Sequence, residues 1–415
     1  MSRVVFASIA ALVVSLSARA DAPALGESVE AHVLEIRAQN PDRRDDVFSK
    51  MGGSSVASKA FLHCFATPYV DLGDHGDLAR TLEYFQAGPA SSFDRQSEAA
   101  GVSWNLKYVL GGRPANFREE LRATQARWAL ILFGANDAQN ENERVYLERL
   151  IYLVEALEEM GVVPILGAAL PRRNASKDRW IQRFNRITEA VAEHWSLPFI
   201  DYHGALSALP KKGLAADGMH PNVLAPGGLR AACQLTEKGL RYGNNLRNLL
   251  TLQMLDALRQ AVIDTPPETA PETAPAAAPA AATDTETDTA PAIHAATVAS
   301  TDLPWSMLVH KSSLPSLSSL PPRCGPPTDG TRFARVRVHL GEGARLRASA
   351  FDLDGNRPRV FWVRIDEDGT ERCVRRRHET LELEVPPGMW DLIVEVSGRA
   401  PQDGRMLVLI ARDPR

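Results

Sequence analysis

The sequence predicts an α/β unit with a parallel sheet, followed by a small all-β unit. Three observations carry this. Up to about residue 262, strand-like apolar runs alternate with helical stretches, the pattern of a parallel sheet covered by helices. From about residue 331, short strand-like runs succeed one another with turn signals between them, as in a small antiparallel sandwich. Between the two, residues 264–300 are almost wholly Pro, Ala, Thr and acid, which bury little and read as an extended, solvated linker. The expected organisation is a leader at 1–20, an α/β unit at 21–262, a linker at 263–330 and a β unit at 331–415.

In the first unit, Val47 to Met51 reads as a short strand, followed by a helix through about Phe65. Trp128 to Phe133 is a continuous apolar run ending at Gly134, as expected of a strand buried on both faces. Glu143 to Met160 is an amphipathic helix, with Leu147, Leu150, Ile151 and Val154 at helical spacing and Gly161 as its cap. Val162 to Leu166 is the next strand, Lys177 to Trp195 the next helix, and Pro198 to Ile200 a further strand. Pro226 to Ile263 reads as mostly helical, with a break near Gly243. In the second unit, Arg332 to Leu340 alternates apolar and basic residues. Further strands are expected at Arg345–Ala350, Val360–Ile365, Leu381–Val385, Leu392–Val396 and Met406–Ile410. Lys311 is the last lysine, so every later basic side chain apart from histidine is an arginine.

The apolar fraction of 44% and charged fraction of 24% exclude a chain disordered throughout. A net charge of −4 gives no basic excess for binding nucleic acid through phosphates. Arg3, the apolar stretch Val4 to Leu16 and the small residues of Ala18-Arg19-Ala20 form a secretory signal pattern, with cleavage expected after Ala20. That stretch is shorter than the roughly 20 residues a membrane span needs, and no later run reaches that length, so a soluble mature protein without a transmembrane segment is expected, secreted or periplasmic. The sequence sets no oligomeric state.

Three segments fall where a parallel sheet places active sites, beyond the carboxyl ends of its strands or on a late loop. Met51-Gly52-Gly53-Ser54-Ser55 puts a serine on a tight strand-to-helix turn, with its N–H at a helix start. Gly134-Ala135-Asn136-Asp137 offers an amide donor to an oxyanion and a carboxylate to fix the loop. In Asp217-Gly218-Met219-His220, a carboxylate three residues before a histidine can orient it as a general base. Each also reads as an ordinary turn or cap; together and in this order they fit acyl transfer.

With these blocks the sequence resembles the SGNH (GDSL-type) hydrolase family, over about residues 45–262. Gly134-Ala135-Asn136-Asp137 and Asp217-Gly218-Met219-His220 match its Gly-x-Asn-Asp and Asp-x-x-His blocks in full. The resemblance implies a flavodoxin-like three-layer α/β/α fold. It also implies Ser54 as nucleophile, His220 as base and Asp217 as its orienter, with an oxyanion hole from Ser54, Ser103 and Asn136 and no cofactor or metal. Gly53 stands where the family has Asp. Ser55 is the alternative nucleophile, and Gly101 the alternative to Ser103. The implied substrate is a carboxylic (acyl or acetyl) ester, with acylated polysaccharide or cell-wall polymer suiting an exported enzyme. The competing reading is an inactive relative that holds a polysaccharide or partner.

Other clusters read as structural. Asp71, Asp74, His75 and Asp77 read as a solvated loop, Asp352-Leu353-Asp354-Gly355-Asn356 as a hairpin turn, Arg375-Arg376-Arg377-His378 as a strand edge, and Asp201-Tyr202-His203 as strand-end packing. Cys64, Cys233, Cys324 and Cys373 allow three pairings, and pairing within each unit is the simplest. The β unit is expected to be tethered rather than packed, with Trp362 and Trp390 either core residues or platforms for sugars.

Overall fold

The computed structural model describes residues 25–86, 91–140, 142–224, 228–264, 295–299, 303–311, 324, 332–353, 358–366, 368–378, 380–396 and 405–412. The leader and residues 265–294 of the expected linker lie outside these.

Strands β1 (Arg44–Gly52), β2 (Ala126–Leu132), β3 (Val163–Gly167) and β4 (Phe199–Ile200) form one parallel sheet in that order. All of β2 and β3 is buried, as the apolar runs Trp128 to Leu132 and Val163 to Leu166 require, and the one charge in them, Arg127, is paired with Asp45 at 2.9 Å. The helices are α1 (Glu27–Gln39), α2 (Ser54–Ala57), α3 (Ala79–Phe85), α4 (Leu106–Val109), α5 (Asn116–Thr124), α6 (Glu143–Glu158), α7 (Ala175–His194), α8 (Tyr202–Ser207) and α9 (Gly243–Leu258). Helices α6 and α7 pack on each other and on β3, while α9 packs on α3, α8 and β4. Asparagines start both long helices of the first group: Asn142 accepts from Val145 N and Asn174 from Lys177 N. The first unit is an α/β fold with a parallel sheet between helices, and the loops at the carboxyl edge of that sheet carry the candidate residues.

The helix expected after β1 does not run to Phe65. It stops at Ala57 and is followed by a 3₁₀ turn, His63–Ala66. Asn248 of α9 explains this, because it accepts from Leu62 N at 3.1 Å and donates to Ala60 O at 3.0 Å, taking groups a helix would use itself. The stretch before α9 holds 3₁₀ turns, and the helix proper begins at Gly243, where a break was expected.

The second unit comprises β5 (Ala295–Ala299), β6 (Trp305–His310), β7 (Arg332–Leu340), β8 (Ala344–Asp352), β9 (Arg359–Ile365), β10 (Glu371–His378), β11 (Thr380–Val385), β12 (Gly388–Val396) and β13 (Arg405–Arg412). They form two sheets, β10-β9-β12-β7-β5 and β11-β8-β13-β6. All pairings are antiparallel except β5 with β7. Trp362 and Trp390 are core residues, buried with Val336, Leu392 and Val408, so neither is a sugar platform. The backbone of Arg375 to His378 lies on the edge strand β10. Disulfides join Cys64 to Cys233 and Cys324 to Cys373, one in each unit.

Two expectations need correction. Strands β5 and β6 and the buried Cys324 fall inside the stretch read as linker. Both are edge strands, which need backbone partners on one side only, so composition signals them weakly. The β unit is also packed, not merely tethered. Leu308 of β6, Phe351 of β8 and Leu407 of β13 join the apolar core of the α/β unit. Ser306 Oγ donates to Arg186 O of α7 at 2.8 Å, and Arg405 pairs with Glu155 of α6 at 2.8 Å.

Because of this shared core, the full chain is expected to unfold in one calorimetric transition. Phe351→Ala should cost about 3–5 kcal/mol and split that transition into two. Two transitions in the parent protein would show that the units do not stabilise each other.

Lys50 on β1 gives a pH-dependent counterpart. Its buried ammonium donates to Phe93 O at 2.6 Å, and burial pushes its pKa from 10.5 down to about 7. Between pH 7 and 10.5 the unfolded chain therefore holds the extra proton, and stability rises with pH across this window. Lys50→Met should flatten that rise in denaturant melts taken at pH 7 and pH 10; an unchanged slope would mean that Lys50 is not its source.

Candidate active site

Ser54 opens α2 directly after β1 and the turn residue Gly53. The turn is tight at Gly52, where a Cβ would stand 2.4 Å from a Val56 methyl and 2.8 Å from Leu132 O. The segment 99–101 lies beside this strand end: Gly52 N donates to Ala99 O and Gly101 N to Gly52 O, both at 3.1 Å. The N–H of Gly101 is thus spent on the backbone. Ser103, two residues on, adopts a left-handed conformation (φ 63°) and lines the cleft beside Ser54.

Asp217 and His220 come from a loop far along the chain. Asp217 Oδ1 accepts from Met219 N at 2.9 Å and His220 N at 3.0 Å, and its Oδ2 lies 2.7 Å from His220 Nδ1. The Met219 N–H and the His220 ring hold the Asp217 carboxyl down at about 2, so it is an anion throughout the neutral range. His220 Nε2 lies 3.0 Å from Ser54 Oγ. With the Nδ1 proton facing the carboxylate, the Nε2 lone pair faces the serine hydroxyl.

Asn136 and Asp137 fix the third wall. Asp137 is buried, accepting from Leu106 N at 3.1 Å and from Gly134 N at 3.0 Å, and burial raises its pKa. Asn136 donates one Nδ2 hydrogen to Trp104 O at 2.7 Å, which leaves the other for a ligand. Ser54, Ser103, Asn136 and His220 thus face one cleft. Ser55 lines the adjoining pocket with Ser54 but not this cleft, and its carbonyl accepts from Arg247 at 2.6 Å.

Sequence reading missed three positioning arginines. Arg172 and Arg173 follow β3 and grip the Asp217 loop: Arg172 Nη1 donates to Met219 O at 3.1 Å, while Arg173 donates to Ala216 O at 2.9 Å and Ala215 O at 2.6 Å. Pro171-Arg172-Arg173 directly past an apolar strand was the available signal, since strand ends are where sites form. Arg247 is wholly buried on α9 and stacks on Phe61. Nothing in its helical sequence context announced this.

The remaining clusters lie elsewhere. Asp201 caps α8, and His203 pairs with Asp178 at 3.2 Å. Asp71 accepts from Gly73 N in its own loop. Asp352 forms a buried pair with Lys311 at 3.1 Å, while Asp354 to Asn356 lie outside the described residues. Among the described residues no group of His, Cys, Asp and Glu has the makings of a metal site, and no helix is long and apolar enough to cross a membrane.

Residues 69–225 match the GDSL-like lipase/acylhydrolase family. The match takes in Asn136, Asp217 and His220 and begins after Ser54. Among solved structures, an acetylxylan esterase from Geobacillus stearothermophilus is 16% identical, with 50% of this chain and 93% of that chain covered and a TM-score of 0.33. A GDSL-like lipase from Bacteroides thetaiotaomicron is 17% identical, with 55% and 97% covered and a TM-score of 0.35. No curated protein matches.

A Cβ at Gly53 would stand 3.0 Å from Asn136 Nδ2 and 3.1 Å from Trp104 O, the two atoms of the bond that holds Asn136. Gly53→Asp, which places here the residue of the Gly-Asp-Ser block that the sequence resembles, is therefore expected to displace Asn136 and lower kcat on an aryl acetate by about 10- to 100-fold. A gain in kcat would show that the missing carboxylate, not the space, limits this site.

Proposed function

We propose that the N-terminal unit, a GDSL-type (SGNH) ester hydrolase, is an exported serine esterase acting through Ser54, His220 and Asp217. The observation that supports this best is the unbroken chain of contacts Ser54 Oγ–His220 Nε2 and His220 Nδ1–Asp217 Oδ2, at 3.0 and 2.7 Å. His220 Nε2 takes the hydroxyl proton as Ser54 Oγ attacks the ester carbonyl. Asp217 holds the ring in the productive tautomer and stabilises the imidazolium that forms. The N–H groups of Ser54 and Ser103 and the second Nδ2 hydrogen of Asn136 receive the oxyanion. The imidazolium then protonates the leaving alcohol, and His220 activates the water that releases the acyl group.

The floor of the cleft is closed by Leu132, Phe133 and Leu170, with Ala168 and Ala169 between, which suits a short acyl group such as acetyl. Export is supported by the apolar leader and by the two disulfides, which persist in oxidising compartments. Extracellular carbohydrate or cell-wall polymer is the acyl carrier this placement favours.

The purified chain from Asp21 onward is expected to release 4-nitrophenol from the acetate ester faster than from the octanoate. Ser54→Ala should lower kcat by at least about 10³-fold, and Ser55→Ala should keep most of it. A dead Ser55→Ala beside an active Ser54→Ala would move the nucleophile by one residue. A parent protein without turnover on a broad ester panel would make the chain an inactive binder.

A further inference from the structure

Arg172 and Lys177 are the cations of the cleft, and both lack an ion-pair partner among the described residues. Arg172 is half-buried beside the Asp217 loop. Its Nη1 donates to the carbonyls of Met219, Leu170 and Pro171, but its Nε and Nη2 make no hydrogen bond among the described residues. Its nearest acidic neighbours are engaged elsewhere. Asp217 holds His220, and Asp178 is taken up by His203, by Lys212 at 2.6 Å and by the backbone N–H of Arg172. Burial disfavours the charge on Arg172 and lowers its pKa. Lys177 stands exposed at the start of α7, on the same side of the cleft as Arg172 and Trp180.

On α6 and α7, Arg144 pairs with Glu148, Arg183 with Glu143 and Arg186 with Glu189. Asp178 and Asp217 lend Arg172 some counter-charge, but both carboxylates are already bonded to other partners, so the open edge of the guanidinium remains available to a ligand. The chain as a whole carries net charge −4, so positive potential at this cleft is local.

Resting on the esterase reading above, we infer that the substrate is an acyl ester of an acidic carbohydrate, whose carboxylate is held by Arg172 and Lys177 while the ester reaches Ser54. The guanidinium edge offers parallel donors to a carboxylate, and Lys177 adds a mobile charge at the rim. Trp104 lines the cleft, half-buried, and offers apolar surface to a sugar ring.

The test uses the full chain and acetate release from O-acetylated polygalacturonate, with its carboxylates free or methyl-esterified. The free-acid polymer is expected to have a kcat/KM about tenfold higher, the worth of one charge-assisted hydrogen bond. High salt should shrink that ratio, and Lys177→Gln should lower kcat/KM more on the free-acid polymer than on its methyl ester. Equal turnover of the two polymers while an aryl acetate is hydrolysed would overturn this inference alone. Fatty-acid release from phosphatidylglycerol vesicles in preference to acetate from either polymer would assign the cations to a lipid phosphate and overturn it too. Absence of turnover on every ester would overturn the esterase reading and this inference with it.

Discussion

The buried carboxylate of Asp137 registers the carboxyl edge of the sheet. It accepts from Leu106 N on one loop and Gly134 N on its own, and so locks the segment after β2 to the segment carrying Ser103 and Trp104. Trp104 O then receives Asn136, and the spacing between Asn136 and Gly53 follows. One carboxylate thus sets two of the three proposed oxyanion donors, Ser103 and Asn136, relative to the serine. A buried charge is costly, and two backbone N–H donors offset much of that cost here. Both N–H groups find their acceptor in this one side chain.

The serine and histidine are brought together across a sequence separation of 166 residues. Three devices hold the distant segment in place. The Cys64–Cys233 disulfide joins the chain after α2 to the chain before α9. Arg247 ties α9 to the Ser55 carbonyl, and the Arg172–Arg173 pair grips the 215–219 loop by its carbonyls. The loop needs this support because its own capping is local, Asp217 bonding residues two and three positions on. Local caps shape a loop but do not fix where it sits.

The sequence made the parallel strands legible because burial on both faces leaves an apolar run that polar chemistry cannot mimic, as in Trp128 to Leu132. The blocks around Ser54, Asn136 and Asp217 were legible because each joins turn residues to a reactive side chain at short spacing. What stayed hidden was carried by distant contacts. The short α2 depends on Asn248, nearly two hundred residues away, and the grip of Arg172 depends on carbonyls, which have no residue identity. The docking of the β unit did leave a sign. Met406 to Ile410 is apolar at every position, whereas a strand with one wet face alternates. In the fold, Met406, Val408 and Ile410 enter the sandwich core while Leu407 meets the α/β unit.

Two arginines of the β unit, Arg347 and Arg405, lie at the docking surface. Arg347 lies 5.5 Å from the ring centre of Trp180 on α7 and 4.0 Å from Glu143 on α6. Arg405 lies 4.7 Å from the ring centre of Trp195 and pairs with Glu155. Each guanidinium meets an aromatic face and a carboxylate together, which its planar, delocalised charge allows and a compact ammonium does less well. Trp180 belongs to this interface and to the wall of the cleft alike. The β unit therefore stands directly behind the surface a substrate would touch. Its position relative to Ser54 is set by packed side chains rather than by the length of a linker.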